Sequence, residues 1–418
     1  MKTIYFTCCG MCMKYLTIKE TAVRWGVSER TVNKLCAEGR VAGARKFGSV
    51  WSIPEDTQKP IDPRKQKKLQ AEVKTAVQKT EIPPEEPLHI AMPLLNTSFE
   101  PGTAKQAAEH IENPDARNIA LAEFYYFSGQ PEKASDLAEP YLTYKDSALC
   151  VSACWIFAYA NLALNRIPKS KLAMASLQKL TESIDDNTPL KDRALITCIF
   201  TGAAVLLHLP LPKILTPLKT YIHMMPAGLR LFVLYIEAHH AYLNGQYGVA
   251  IGIAETALAL EGEVYPIPTI YLHLIASMGY INKNYPEIAK QHLLEAWKIA
   301  KPDGLIEAFG EHHGLLGGCL EATIKKEYPD AFRQIIDITY KFSAGWRKIH
   351  NPETGHDVAD NLTTTEFAVC MLAARGWSNR EIADHMGLSE YTVRHYISVA
   401  MQKLNIKQRN KLSEFMLK

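Results

Sequence analysis

Apolar positions near the start of the chain follow a short helical period. In YLTIKETAVRWG, Ile18, Ala22, Val23 and Trp25 supply the buried side of a helix, and Thr17 precedes it with Glu20 three residues on, the spacing of a capping box. A second helix is expected from about Glu29 to Glu38, stopped by Gly39. The stretch GARKFGSVWSIP then reads as two short strands, Ala44 to Phe47 and Val50 to Ile53, turning at Gly48 and Ser49. Helix, turn, helix and hairpin make a winged arrangement.

Further along, the pattern repeats at a longer interval. YFSGQPEKASDLAEPYL from Tyr126, YLNGQYGVAIGIAETAL from Tyr242 and YINKNYPEIAKQHLLEAW from Tyr280 each give an aromatic residue, a turn and an Ala-rich helix. Ala134, Ala173, Ala250 and Ala289 stand in register at intervals of 39, 77 and 39 residues, and 77 is two repeats. A unit of about 39 residues made of two helices, with small Ala at the contacts, predicts a tetratricopeptide-like α-solenoid. The element between Ala173 and Ala250, around Leu211 to Tyr221, is degenerate.

The C-terminal stretch returns to short amphipathic helices, and four are expected. Thr363 caps the first and Glu366 completes its box, Ser378 or Asn379 caps the second, Ser389 caps the third, and the last begins near Lys407. On the third helix Val393, Ile397 and Leu404 point inward, which leaves Tyr391, Arg394, His395 and Ser398 outward.

One phrase occurs at both ends. Glu20, Ala22, Gly26, Ser28, Glu29, Thr31 and Val32 align with Glu381, Ala383, Gly387, Ser389, Glu390, Thr392 and Val393. Two helices joined by only a Gly and one apolar residue form a helix-turn-helix, whose second helix enters a DNA major groove.

The C-terminal residues Leu362, Thr363, Glu366, Val369, Gly376, Ser378, Asn379, Glu381, Ile382, Ala383, Ser389, Thr392, Val393, Arg394, Lys403 and Leu404 resemble the LuxR-type (GerE) helix-turn-helix. The resemblance implies a DNA-binding set of Ser378, Asn379, Tyr391, Thr392, Arg394, His395, Ser398 and Lys403, with 394, 395 and 398 reading bases. Tyr396 stands where that pattern usually has His, and Ser398 where it is often basic. The N-terminal unit, ending in Trp51-Ser52-Ile53-Pro54, resembles the MerR-like or excisionase-type winged helix. That resemblance implies Arg30, Thr31, Asn33 and Lys34 at the groove and Arg45 and Lys46 on the wing. The middle resembles the helical sensor domains that precede LuxR-type heads in regulators of the MalT kind. Those relatives usually carry an ATPase module, but the chain has no G-x-x-x-x-G-K-[ST], so nucleotide hydrolysis is not expected.

Charge sharpens this division. Residues 1 to 80 carry 16 Lys and Arg against 7 Asp and Glu, residues 81 to 361 carry 23 against 32, and residues 362 to 418 carry 8 against 5. The ends, at +9 and +3, suit phosphate, whereas the middle, at −9, does not.

The expected organisation is a disordered extension over 1–13, a winged helix over 14–64, a Lys-rich and Pro-punctuated linker over 65–94, a helical sensor or interaction domain over 95–350, a linker over 351–361 and the LuxR-type head over 362–418. The fold class is mainly α with one small β-hairpin. Met13 is expected as the natural start of the first domain, with Met1 the alternative. No run of 18 apolar residues and no clear signal peptide is present, so a cytoplasmic protein without membrane contact is expected.

Cys150, Cys154, Cys198, Cys319 and Cys370 fall within helical patterns as small buried apolar residues. Cys8, Cys9 and Cys12 lack the second pair that a structural zinc site needs, so no metal and no cofactor are expected. His239-His240 and His312-His313 cannot chelate, because neighbours on a helix point about 100° apart. No HExxH or nucleophile elbow occurs, and an enzyme is not expected.

The function expected is a bacterial transcription regulator with two DNA-reading heads around a signal-sensing helical domain. An unknown peptide, protein or small molecule is its effector, with Tyr125, Tyr159, Tyr235, His239 and Tyr242 lining the site. Double-stranded DNA, RNA polymerase and a second copy of the chain are the other expected partners. The alternative is a protein-interaction scaffold in which one or both heads no longer read DNA.

Overall fold

The computed structural model describes residues 15–38, 40–41, 44–47, 50–54, 57, 59, 90–185, 187–207, 218–260, 262–350 and 362–416. The chain divides into two compact units, Met1–Pro87 and Leu88–Lys418. Gly39, the Gly48-Ser49 turn, Cys8, Cys9, Cys12, the linker 351–361 and most of the linker 65–94 lie outside the described residues.

In the first unit, α1 (Ile18–Trp25) begins at Thr17, whose backbone N–H donates to the Glu20 carboxylate at 2.8 Å while its hydroxyl accepts from the Glu20 N–H at 3.3 Å. Gly26, with φ 62°, ends it, and Ser28 caps α2 (Glu29–Ala37). Three antiparallel strands follow the order β1-β3-β2: β1 (Tyr15–Leu16), β2 (Arg45–Phe47) and β3 (Val50–Pro54), with Arg45 opposite Ser52 and Tyr15 opposite Pro54. The sequence gives no sign of β1, because two residues are too few to show an alternation. Ala22, Val32, Leu35, Cys36, Val41 and Ile53 form the core. Val23 is not part of it: it is 80% exposed, and Thr21 is buried instead. The inward stripe runs 18, 21, 22, 25, the i, i+3, i+4, i+7 set that a helical period selects.

The second unit is built of helical hairpins: α4 (Pro114–Phe127) with α5 (Pro131–Ala138), α6 (Ser147–Ala163) with α7 (Ile167–Glu182), α9 (Ala227–Leu243) with α10 (Tyr247–Leu260), and α11 (Pro266–Asn282) with α12 (Pro286–Ala300). A short α3 (Ala104–Glu109) precedes them. Each hairpin turns at a residue in the left-handed region, Gly129, Asn165, Gly245 or Asn284. The following N–H reaches back five residues to a carbonyl of the first helix: Gln130 to Tyr125, Arg166 to Asn161, Gln246 to Ala241 and Tyr285 to Tyr280. This closure satisfies helix-end carbonyls and needs a residue that tolerates positive φ, which is why only Gly and Asn occur there. Ala134, Ala173, Ala250 and Ala289 are all fully buried where the hairpins press together. After α8 (Leu190–Leu206), the degenerate element shows short 3-10 turns at Leu218–Thr220 and Ile222–Met224.

Both ends of this array fold back onto it. At the front, Ala91, Met92 and Leu94, within the stretch read as linker, and Leu95 just after it are buried. The N–H groups of Leu94 and Leu95 donate to the buried Glu123 carboxylate at 3.0 and 2.9 Å, and the Leu229 N–H donates to Asn96 at 2.7 Å. At the far end come α13 (Glu307–His312), α14 (Cys319–Thr323) and α15 (Pro329–His350), and α15 lies across α13, α6 and α7. At Gly345 of α15 a Cβ would come within 2.2 Å of the Leu162 carbonyl oxygen, so the two helix backbones approach as only Gly permits.

The C-terminal helices α16 (Thr364–Ala374), α17 (Asn379–Met386) and α18 (Glu390–Lys403) pack on Val369, Leu372, Ile382, Val393, Ile397 and Leu404. The expected last helix near Lys407 is shorter, a 3-10 turn at Arg409–Leu412 leading to α19 (Ser413–Met416). The bundle docks on the loop 314–318, where Phe367 rests on Gly314 and Met386 on Gly318. The His385 Nε2–H donates to the Gly317 carbonyl at 3.0 Å, and Arg375 donates to the Leu315 carbonyl at 3.3 Å. Among the described residues no helix is long and apolar enough to cross a membrane.

Candidate nucleic-acid interface

Local chemistry sets the position of α18. Ser378, not Asn379, caps α17: its hydroxyl accepts from the Glu381 N–H at 3.2 Å and its own N–H donates to the Glu381 carboxylate at 2.7 Å. Hydrogen bonding from the Ser378 backbone holds the Glu381 carboxyl below its ordinary value. Gly387, φ 65°, makes the turn, and Ser389 caps α18 by accepting from the Thr392 N–H at 3.0 Å. The Ser389 and Thr392 hydroxyls are 2.8 Å apart, and in the first unit Ser28 and Thr31 repeat the arrangement at 2.9 Å. The shared phrase therefore folds the same way twice.

Val393, Ile397, Ala400 and Leu404 fix the inner side of α18. Its outer side presents Tyr391, 80% exposed, with Arg394, His395 and Ser398 also exposed. The Arg394 guanidinium stands 3.5 Å from the Glu390 carboxylate, one turn back, a surface pair weak enough to open for a stronger acceptor. Beside this face runs an open cleft of about 460 Å³ lined by Asn379, Arg394, Ser398, Gln402, Lys407 and Arg409. Gln402, Lys407 and Arg409 were not among the expected DNA-binding residues. Gln402 continues the 391, 394, 395, 398 stripe by one turn, so its helical spacing was the available signal.

Other expected members have different partners. Lys403 donates to the mostly buried Glu366 carboxylate at 2.7 Å and locks α18 to α16, so its charge is turned away from the exposed stripe. Burial alone would raise the Glu366 carboxyl, but Lys403 and the Thr363 cap together hold it below the usual value. Asn379 accepts from Arg409 at 2.5 Å, and Arg409 also donates to the Trp377 carbonyl. These contacts tie the start of α17 to the segment after α18. In the first unit Arg30, Thr31, Asn33 and Lys34 are exposed on α2, and Arg45 and Lys46 on β2, with Lys46 5.8 Å over the Trp51 ring.

The expected effector residues do not line an open groove. Tyr159, Tyr235, His239 and Tyr242 are buried, and Tyr125 is half-buried beneath Lys133, 5.0 Å from its ring. Tyr242 serves the docked bundle, its hydroxyl accepting from Arg375 at 3.2 Å and Asn282 at 2.9 Å. Among the described residues no group of three or more His, Cys, Asp or Glu is arranged to hold a metal.

A helix-turn-helix whose second helix turns a polar stripe outward is the geometry on which family comparison bears. Residues 360–416 match the model described as bacterial regulatory proteins, luxR family. This segment is a luxR-family domain. The transcriptional regulatory protein DesR of Bacillus subtilis (strain 168) is 31% identical over 99 residues, covering 23% of this chain and 46% of DesR. The chain thus spans a little under half the length of that relative. In the luxR-family domain, all the caps and inward residues of α16 to α18 lie within the matched residues.

Proposed function

We propose that the chain is a bacterial transcription regulator whose luxR-family domain reads double-stranded DNA through α18. The observation that carries this reading is the exposed stripe of Tyr391, Arg394, His395, Ser398 and Gln402, fixed from behind by Val393, Ile397 and Ala400. A rigid helix with a polar outer stripe fits the major groove, and Arg394 is the side chain able to grip guanine with two hydrogen bonds. The cleft beside it, with Lys407 and Arg394, suits a phosphate strand.

In this reading the first unit is a second, MerR-like head, with α2 at the groove and Arg45 and Lys46 on backbone phosphate. The +9 charge of residues 1 to 80 supports it. The hairpins, whose turns and buried alanines match a tetratricopeptide-like plan, form the sensing domain. The protein works in the cytoplasm without catalysis, as a homodimer that contacts RNA polymerase.

Arg394→Ala tests the central assignment. It is expected to reduce specific DNA affinity by roughly 1–3 kcal/mol and to relax the preference at one base pair. Selection of bound sequences from a random library, with parent and variant compared at one salt concentration, reads both effects. Equal affinity with the same sequence preference would remove α18 from the interface.

A further inference from the structure

The socket that holds the luxR-family domain is closely packed but poorly matched in its polar groups. On the domain's side, the His385 Nε2–H donates to the Gly317 carbonyl, while His385 Nδ1 is buried with no hydrogen-bond partner. Arg375 donates through Nη2 to the Tyr242 hydroxyl and the Leu315 carbonyl, while its Nε and Nη1 are buried without a partner. On the hairpin side, Glu321 of α14 meets His313 at 2.9 Å through one oxygen, and its Oε2 is likewise buried and unpartnered. A buried polar atom that makes no hydrogen bond costs free energy, which water returns once the surface opens. The contact is therefore easier to part than the apolar cores on either side of it.

His385 is the group in this contact whose charge a proton can change near neutral pH. Its ring is buried, lies edge-on to Trp377 at 5.2 Å, and covers the Cys319 thiol, 3.9 Å from Nε2. A second proton would sit on Nδ1, which no acceptor faces among the described residues. From α12, Lys290 disfavours a positive ring, and the Glu287 that favours one is already 3.1 Å from Lys290. From α14, Glu321 favours a positive ring too, but it is engaged by His313. Burial first and Lys290 second hold docked His385 at about 4, against the Gly317 carbonyl and the two carboxylates. Out of the socket the ring meets water and returns toward its ordinary 6.5.

We propose that His385 is a proton-operated latch: a proton on its imidazole releases the luxR-family domain from the 314–318 loop while the domain and the hairpins both stay folded. The domain keeps Val369, Leu372, Ile382, Val393 and Leu404 as a core of its own, so release does not require unfolding. A ring harder to protonate when docked than when free makes docking weaken as pH falls below 6.5. At pH 5.5 the loss is about tenfold. The latch concerns how the domain is held and stands whatever α18 contacts.

The test uses the full chain, with the Cys319 thiol as reporter. Labelling by N-ethylmaleimide is followed cysteine by cysteine by mass spectrometry at pH 7.5 and 5.5, and each rate is divided by that of the same cysteine in the urea-unfolded chain at the same pH. Cys370 inside the bundle and Cys198 on α8 are buried and report unfolding. The expected result is about a tenfold loss of protection at Cys319 on moving to pH 5.5, with Cys198 and Cys370 as protected as before. His385→Gln is expected to remove this dependence on pH. Should that variant stand undocked at both pH values, Lys290→Gln reads the same point, because taking away the facing positive charge makes the loss at Cys319 smaller. Equal protection of Cys319 at the two pH values overturns the proposal. So does an equal loss at all three cysteines, which is unfolding, and so does a docked His385→Gln protein, or a Lys290→Gln protein, that responds like the parent.

Discussion

Gly317→Ala is expected to release the luxR-family domain from its dock while leaving the domain itself folded. Gly317 has φ 54°, and a Cβ there would come within 2.7 Å of Arg375 Nη1, 2.9 Å of Ile281 Cγ2 and 3.1 Å of Leu372 Cδ2. Holding an L-residue in the left-handed region costs about 1–2 kcal/mol. Forcing a methyl group among three such neighbours adds roughly 1–3 kcal/mol of overpacking, since Ile281 and Leu372 are themselves packed. The docked arrangement therefore loses about 2–5 kcal/mol in all. The bundle has its own core of Val369, Leu372, Ile382, Val393 and Leu404, so separation at the 314–318 loop relieves the crowding at less cost than unfolding. Hydrogen exchange by mass spectrometry reads the outcome. Amides of α14 and the C-terminal half of α17, around His385, should exchange many-fold faster, and those of α18 should keep their protection. DNA affinity should fall less than in Arg394→Ala, because the α18 stripe is not part of the dock. Unchanged exchange around His385 together with an unchanged Tm would refute the assignment of the loop as a socket.

Two other perturbations address charge. Replacing Arg45 and Lys46 together with Ala should weaken DNA binding for all sequences and lower the slope of log affinity against log salt by about two, as expected for two lost phosphate contacts; a slope equal to the parent's would take the wing off the DNA. Burial depresses His385 and His312 to about 4 from an ordinary 6.5, so the unfolded chain binds protons that the folded chain refuses. Their stabilisation is complete above pH 6.5 and is lost as pH falls from 6.5 toward 4. The urea midpoint of the full chain should decline across that range, and His385→Gln should make the decline shallower; a midpoint that rises on acidification would contradict the buried, neutral imidazoles.

Interactions between residues three to five apart were legible in the sequence. Thr17 with Glu20, Ser378 with Glu381 and Ser389 with Thr392 form their caps because a side chain can reach an N–H only one turn away. The hairpin turns at Gly129, Asn165, Gly245 and Asn284 follow from backbone conformation alone, and the 39-residue alanine register reports helix contacts that recur. Contacts across long separations were not legible. That α15 lies across α6 and α7 depends on Gly345 meeting Leu162, 183 positions away, and an amphipathic stripe says only that a face will be covered, never by what. Lys403 looked like a base on a DNA-reading helix until Glu366, 37 residues earlier, was brought against it, and Tyr242 looked like an effector contact until Arg375 reached its hydroxyl. Tyr159, Tyr235, His239 and Tyr242, expected along an open groove, are likewise buried by the helices packed around them. Sequence periodicity decided which face of each helix turns inward, because that choice depends on 3.6 residues per turn; the partner met there was decided by tertiary packing, because burial is satisfied by any apolar neighbour of the right shape.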